Sequence, residues 1–403
     1  MTRRVVVTGI GCISALGPTT REFWAALRDG RSGIAPMRSV EPGMVRFPNG
    51  AEVRDFDPAT HFEAKQLDLL DRFAQLALVS AREAVRDSGL AWTPALRQRT
   101  AVISGCAVGG QASQEVQFVE LYRNNRGRVH PLTIPRVMSS AGTSAVAMEF
   151  GFTGPAFSVS SACSSASHAI AQALMIVRCG QADVAVTGGS EAPFGYASLK
   201  AWDALRVVAP DTCRPFSRDR QGMILGEGGA MLVLEPLDAA RARGARIYAE
   251  LAGAGLSADA HHITQPAVDG PARAMRAALD DAGLAPESVG YVNAHGTGTP
   301  GNDSTETRAL REVFGARVPA VSSTKSMHGH ALGAAGGLEA VATTLALHHG
   351  VLPPTVNYLG PDPDCDLDVI PNRAREQRVA AALSSSFAFG GLNSVLAFRA
   401  YAP

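Results

Sequence analysis

Val159-Ser160-Ser161-Ala162-Cys163 and Val321-Ser322-Ser323-Thr324-Lys325 read in register, each closing a short apolar run and each followed by a helical stretch rich in small residues. Two copies of one strand–turn–helix plan imply an internal duplication. In that register Cys163 falls opposite Lys325. The flanking chain repeats the plan. Apolar runs bounded by glycine (Val5–Gly9, Thr100–Gly105, Phe157–Ser161, Asp183–Gly189 and Gly229–Glu235) are separated by helical stretches at Asp68–Ser88 and Ser164–Arg178. In the second half Ile247–Gly253, Val289–Ala294, Ala320–Ser323, Ala381–Ser386 and Ser394–Arg399 alternate with helical stretches at Gly270–Ala282 and Gly333–His349. Near-continuous apolar strands between helices predict an α/β fold with largely parallel sheets covered on both faces. No Pro/Ser/Gly-rich linker divides the chain, so an N-terminal half (1–245) and a C-terminal half (246–403) are expected to share one continuous core.

Composition narrows the function. Lysine plus arginine equals aspartate plus glutamate at 37 each, so the protein has no basic field for nucleic acid, and an acidic partner must be met by a local patch. Met1 to Val7 enters a β-like run with no signal-peptide pattern. The most apolar long window, Ala331–Leu347, contains Glu339 and three glycines, which suits a buried helix rather than a membrane span. Cys12, Cys106, Cys163, Cys179, Cys213 and Cys365 form no C-x-x-C pair and no metal-ligand spacing, which predicts reduced thiols in a cytoplasm and no metal.

Of the six, Cys163 stands where a strand gives way to a helix. Free backbone N–H groups and the positive end of the helix dipole favour a thiolate there, the form that attacks a thioester. The other five are expected to be small buried cysteines. Tyr291-Val292-Asn293-Ala294-His295-Gly296-Thr297-Gly298-Thr299-Pro300 presents His295 in a glycine-rich loop directly after a strand. Ser323-Thr324-Lys325-Ser326-Met327-His328-Gly329-His330 does the same for a lysine and two histidines. Open α/β sheets build their sites at such strand ends.

These three segments resemble the β-ketoacyl-acyl-carrier-protein synthases of the thiolase superfamily, in the elongating type whose site is Cys-His-His. Arg214-Pro215-Phe216, Gly226-Glu227-Gly228 and Phe387-Ala388-Phe389-Gly390-Gly391 extend the likeness over essentially the whole chain. The resemblance implies a thiolase fold: a duplicated, five-layered αβαβα arrangement with two mixed, largely parallel sheets. It implies that Cys163 accepts an acyl chain from an acyl-carrier-protein thioester. His295 and His330 would hold the malonyl thioester carbonyl and stabilise the enolate left as carbon dioxide departs, with donors worth about 3–4 kcal/mol each. Backbone N–H groups of Cys163 and Phe389 would form the oxyanion hole. Lys325, with Glu339 in support, would set the charge of the site. Thr297 and Thr299 match the residues that bind the phosphopantetheine arm, which arrives on the carrier, so no resident cofactor is expected. Val108 would line the acyl pocket behind Cys163, with Phe389 as its gate. Valine where isoleucine is common leaves room for one more methylene, worth about 0.8 kcal/mol or fourfold in acyl preference.

The partners implied are acyl carrier protein, acyl-ACP and malonyl-ACP, with a homodimer or a heterodimer with a chain-length-factor-like subunit. Arg123, Arg126 and Arg128 cluster in one loop, and Lys65, Arg72 and Arg206 match docking positions. Leu69 and Leu70, however, replace a basic residue and methionine. Other departures are His328 in place of threonine, which adds an imidazole beside the catalytic pair, and Ala388 and Leu392 in place of glycine and threonine near the gate. Ser217 and Gln221 replace aspartates, expected to touch structure rather than chemistry. A degradative thiolase would need a second catalytic cysteine in the C-terminal half, where Cys365 lies in a Pro/Asp-rich stretch. An initiating or chalcone-type synthase would carry asparagine where His330 stands. The readings left are a fatty-acid synthase, a synthase of a specialised acyl chain, and the ketosynthase subunit of a type II polyketide system. A non-catalytic chain-length partner is disfavoured by the presence of Cys163 and both histidines.

Overall fold

Residues 3–54 and 56–402 are described by a computed structural model. The first half runs β1 (Val5–Ser14), α1 (Arg72–Asp87), β2 (Thr100–Gly105), α2 (Ala141–Phe150), β3 (Ala156–Val159), α3 (Ser165–Arg178), β4 (Val184–Glu191) and β5 (Gly228–Pro236). The second half repeats that order as β6 (Ala249–Ala258), α4 (Asp269–Ala282), β7 (Val289–Asn293), α5 (Pro300–Phe314), β8 (Ala320–Ser322), α6 (Ala335–His349), β9 (Ala381–Ala388) and β10 (Leu392–Ala400). Strand order is β1-β5-β4-β2-β3 in one half and β6-β10-β9-β7-β8 in the other, position for position. The two half-sheets meet where Val5–Val7 pairs antiparallel with Ala249–Leu251.

Five layers follow from the packing. Helices α3 and α6 lie between the half-sheets and touch strands of both, α1 and α2 cover the outer face of the first, and α4 and α5 cover the second. The sequence of α6 explains its place: Ala335 to Leu347 is buried all round, and a helix apolar on every side must be enclosed. No helix among the described residues is long and apolar enough to cross a membrane. One core cluster draws on both halves, from Val5 and Ile170 to Leu345 and Phe398.

The sheets are mixed, but parallel pairing does not predominate. β2–β3, β2–β4, β7–β8 and β7–β9 are parallel, whereas β4–β5, β5–β1, β9–β10 and β10–β6 are antiparallel. Between β9 and β10 only Phe389–Gly391 intervenes, and a turn that short permits only antiparallel neighbours. The helix expected at Asp68–Ser88 is broken into Ala64–Leu69 and α1. Leu70 is extended, and the Asp71 side chain caps the Phe73 N–H at 3.0 Å. Helix α5 stands where no helix is expected from the sequence pattern; Thr299 caps it through the Asn302 N–H and Pro300 opens it.

β3 is an edge strand, and Phe157 on it is 40% exposed. After it the chain turns sharply, with Ala162 at φ +50, and α3 starts at Ser165. Ser165 Oγ accepts the Ser161 N–H at 2.9 Å and donates to the Ala162 carbonyl at 2.6 Å, fixing the turn that carries Cys163. The start of α3 lies directly on Gly105. A Cβ there would stand 2.2 Å from the Ala166 nitrogen and 2.3 Å from the Ser165 carbonyl carbon. Gly105→Ala should therefore cost about 3 kcal/mol, at the upper end of overpacking penalties, and displace the Cys163 turn. A lowered melting temperature with an altered rate of alkylation at Cys163 is the expected result, and unchanged values of both would contradict this packing.

Candidate active site

The strand ends converge as the sequence predicts. Cys163 after β3, His295 after β7 and His330 beyond β8 all line one cavity of about 310 Å³, together with Thr297, Thr299 and Phe389. Cys163 is 8% exposed. The backbone N–H groups of Cys163 itself and of Phe389, the two donors expected to form an oxyanion hole, lie near enough to the sulfur to favour its thiolate. Burial nonetheless wins over these donors and over the nearby Lys325 charge, and pushes the thiol up to about 11. The resting sulfur is thus a thiol, and the helix terminus alone does not make the expected thiolate.

Lys325 has no exposed surface. Its ammonium pairs with Glu339, donates to the His295 carbonyl at 2.7 Å and lies 3.3 Å from His295 Nδ1. That donor leaves Nε2 of His295 to carry the proton. His330 reaches the same state by another route, because the Leu332 N–H donates to its Nδ1 at 3.2 Å. The rings stand edge to face at 5.4 Å. Burial first, then the Lys325 charge, hold both imidazoles well below the usual range, so both are neutral N–H donors facing the cavity. Glu339 is pushed up to about 7 by burial, against the pull of Lys325.

Thr297 and Thr299 lie with their hydroxyls 2.8 Å apart on the cavity wall. Phe389 stacks on Trp202 at 6.2 Å and 25°. Val108 does not line this cavity. It borders an adjoining apolar groove of about 760 Å³ with Phe118 and Tyr122, and Trp202 and Leu205 line both spaces. His328 is likewise displaced from its expected role. It is wholly buried, joined through Nε2 to Thr324 at 3.0 Å, and lowered by burial to about 3, so it adds no charge. Gln221, expected to be structural, borders the cavity. Ser217 is buried and accepts the Leu359 N–H. Cys179 is exposed rather than buried, since it caps the end of α3.

Among the docking candidates, only Arg206 lines the mouth, at the left-handed end of the helix Tyr196–Leu205. Lys65, Arg126 and Arg128 are exposed on the helix Ala64–Leu69 and the loop 122–130, which touch through Asp68 and His130 at 3.3 Å. Arg126 pairs with Glu120. Arg72 is not free, because it forks onto buried Glu227 at 2.7 and 2.8 Å.

Sequence reasoning missed the acidic residues that hold the loops. Glu306 on α5 accepts the N–H groups of His295 and Gly296, both at 2.8 Å, and Asp303 accepts those of Phe216 and Gly298. Burial raises Glu306 to about 7. The available signal was Thr299-Pro300 followed by two acids at helical spacing, a helix start beside the His295 loop. Glu191, at the end of β4, was missed as well.

Residues 2–240 match the family described as Beta-ketoacyl synthase, N-terminal domain, and residues 248–359 match Beta-ketoacyl synthase, C-terminal domain. The chain is 51% identical to Nodulation protein E of Rhizobium sp. (strain N33), covering 99% of this chain and 100% of that one. It is 41% identical to 3-oxoacyl-[acyl-carrier-protein] synthase 2 of Synechocystis sp., over 99% of this chain and 98% of the relative. Among solved structures, the ishigamide ketosynthase/chain length factor superposes with a TM-score of 0.95 at 41% identity, covering 100% of both chains.

The raised thiol gives a signed pH dependence. Thiolate is the reactive form, so alkylation at Cys163 should rise about tenfold per pH unit from about pH 7 to 10 and level off near 11. Peptide mapping must separate it from exposed Cys179. Lys325→Met removes the cation that lowers the thiol, so alkylation at a given pH should slow. A plateau below about pH 9 would show that burial does not dominate.

Proposed function

The chain belongs to the β-ketoacyl synthase family and is a condensing acyltransferase of the thiolase fold, and from that premise we propose how its residues divide the reaction. Cys163 Sγ attacks the carbonyl of an acyl-carrier-protein thioester. The pantetheine thiol leaves with the cysteine proton, while the N–H groups of Cys163 and Phe389 hold the oxyanion. The malonyl thioester then binds with its carbonyl on Nε2–H of His295 and His330. The bond to the carboxylate breaks, carbon dioxide departs, and the electron pair remains as an enolate on these donors. The enolate carbon attacks the acyl-cysteine, the sulfur is expelled and reprotonated, and a β-ketoacyl-ACP results. No resident cofactor enters any step. The observation that carries this reading is the pair of neutral imidazoles, each with Nδ1 occupied and Nε2–H left for substrate.

Thr297 and Thr299 would grip the pantetheine arm, and Arg206 with Lys65, Arg126 and Arg128 would meet the acidic carrier. The acyl chain would run past Trp202 toward the groove at Val108. The exposed edge strand β3 and its apolar surroundings suit pairing with a second subunit, in a homodimer or in a heterodimer with a chain-length-factor-like chain. The second arrangement is supported by the likeness to the ishigamide ketosynthase/chain length factor, and with it the reading as a type II polyketide ketosynthase beside fatty-acid synthesis. All six cysteines are free thiols, in keeping with a cytoplasmic setting.

Mass spectrometry after incubation with a panel of acyl-ACPs should find the acyl group on Cys163. His295→Ala and His330→Ala should each slow condensation about a hundredfold or more while self-acylation continues. Loss of acylation with decarboxylation intact would reverse the assignment. Val108→Phe should shorten the longest accepted primer at an unchanged melting temperature, and an unchanged profile on a stable protein would remove the groove from the acyl path.

A further inference from the structure

One buried carboxylate outside the described constellation joins the two halves at the site. Glu191 ends β4 and is fully enclosed. Its Oε2 accepts the Ala107 N–H at 2.7 Å from the first half and the Gly333 N–H at 3.1 Å from the second, and its Oε1 accepts the Cys106 S–H at 3.3 Å. The turn it holds is strained. Leu332 sits at φ +43, a left-handed conformation that a leucine avoids, and its N–H is the donor on His330 Nδ1. The next residue admits no side chain, because a Cβ on Gly333 would stand 2.3 Å from the Ala107 nitrogen and 2.6 Å from Glu191 Oε2. Strain of this kind persists only where the surroundings over-determine it.

We propose that Glu191 is a positioning residue for His330: by fastening Gly333 to Ala107 it keeps Leu332 in its strained conformation. The Leu332 N–H then stays on Nδ1, and the proton of His330 stays on Nε2, where the enolate step needs it. Without that anchor the turn relaxes, Nδ1 loses its donor, and the ring populates the tautomer that presents a lone pair to the thioester oxygen. The inference rests on the role given to His330 above.

Two variants separate length from charge. Glu191→Asp keeps the acid but withdraws the oxygen from both N–H groups. Glu191→Gln keeps an oxygen at full reach, with its NH2 turned to Cys106 Sγ. Glu191→Asp should release carbon dioxide from malonyl-ACP at least about tenfold more slowly than the parent protein while self-acylation changes less than about twofold, and Glu191→Gln should stay within about threefold in both. Isotope-labelled histidine NMR should show His330 shifting toward the Nδ1–H tautomer in Glu191→Asp alone. Three results would overturn the proposal: decarboxylation unaffected in Glu191→Asp, both steps falling together as a loosened fold would make them, or Glu191→Gln failing as far as Glu191→Asp. The tautomer is read at rest, so it tests Glu191 even if the parent protein proves inactive toward malonyl-ACP, a result that would instead count against the proposed function.

Discussion

A lysine ammonium with no exposed surface must be paired, and Lys325 is such a group. Removing a charge from water costs several kcal/mol unless good geometry and further hydrogen bonds offset it. Here the carboxylate must come from the middle of α6, where Glu339 is the sole ionisable residue in the enclosed stretch Ala335–Leu347. The remaining ammonium protons find the carbonyl and ring of His295, delivered by the loop after β7. One ion pair therefore joins the middle layer of the fold to the loops that carry His295 and Lys325. Its charge then acts outward, opposing burial at the Cys163 thiol and adding to burial in keeping His295 and His330 neutral.

The duplication turns one backbone plan into two kinds of chemistry. Cys163 and Lys325 follow equivalent strands, β3 and β8, at opposite sheet ends in the topology, yet both reach one cavity region because α3 and α6 share the middle layer. A symmetric scaffold thus yields an asymmetric site: a cysteine thiol from one half, a lysine and imidazoles from the other. Matching the family in two separate stretches, one on each half, accords with this division.

Cys163, His295, Lys325 and His330 were legible because each follows an apolar strand in a segment too rich in glycine and small residues for ordinary packing. The alternation of strands and helices was legible for the same reason. The polarity of neighbouring strands was not, because a buried parallel strand and a buried antiparallel one are both apolar, as β2 and β5 show. Thr299-Pro300 signals a helix start, but that signal does not say which way the helix turns its acids, and only the His295 and Gly296 N–H groups reveal Glu306 as interior. Val108 illustrates a different limit: it borders a space marked off from the Cys163 cavity by residues distant in sequence, Trp202 and Leu205 among those shared by both. The Cys163 thiol was misjudged because helix-terminus electrostatics are visible in sequence and the depth of burial is not.

Phe389 performs two duties that cannot be separated. Its N–H is close enough to the Cys163 sulfur to favour the thiolate, and its ring rests on Trp202 at the cavity wall. The glycines that follow, Gly390 at φ +83 and Gly391 at φ +68, give this short segment a backbone that can rearrange as a unit. For inhibitor design this means that the nucleophile need not be the target. A compound that wedges between the two rings and drags the Phe389 backbone with them would displace the proposed oxyanion donor while leaving the thiol untouched, and it would do so without a reactive warhead.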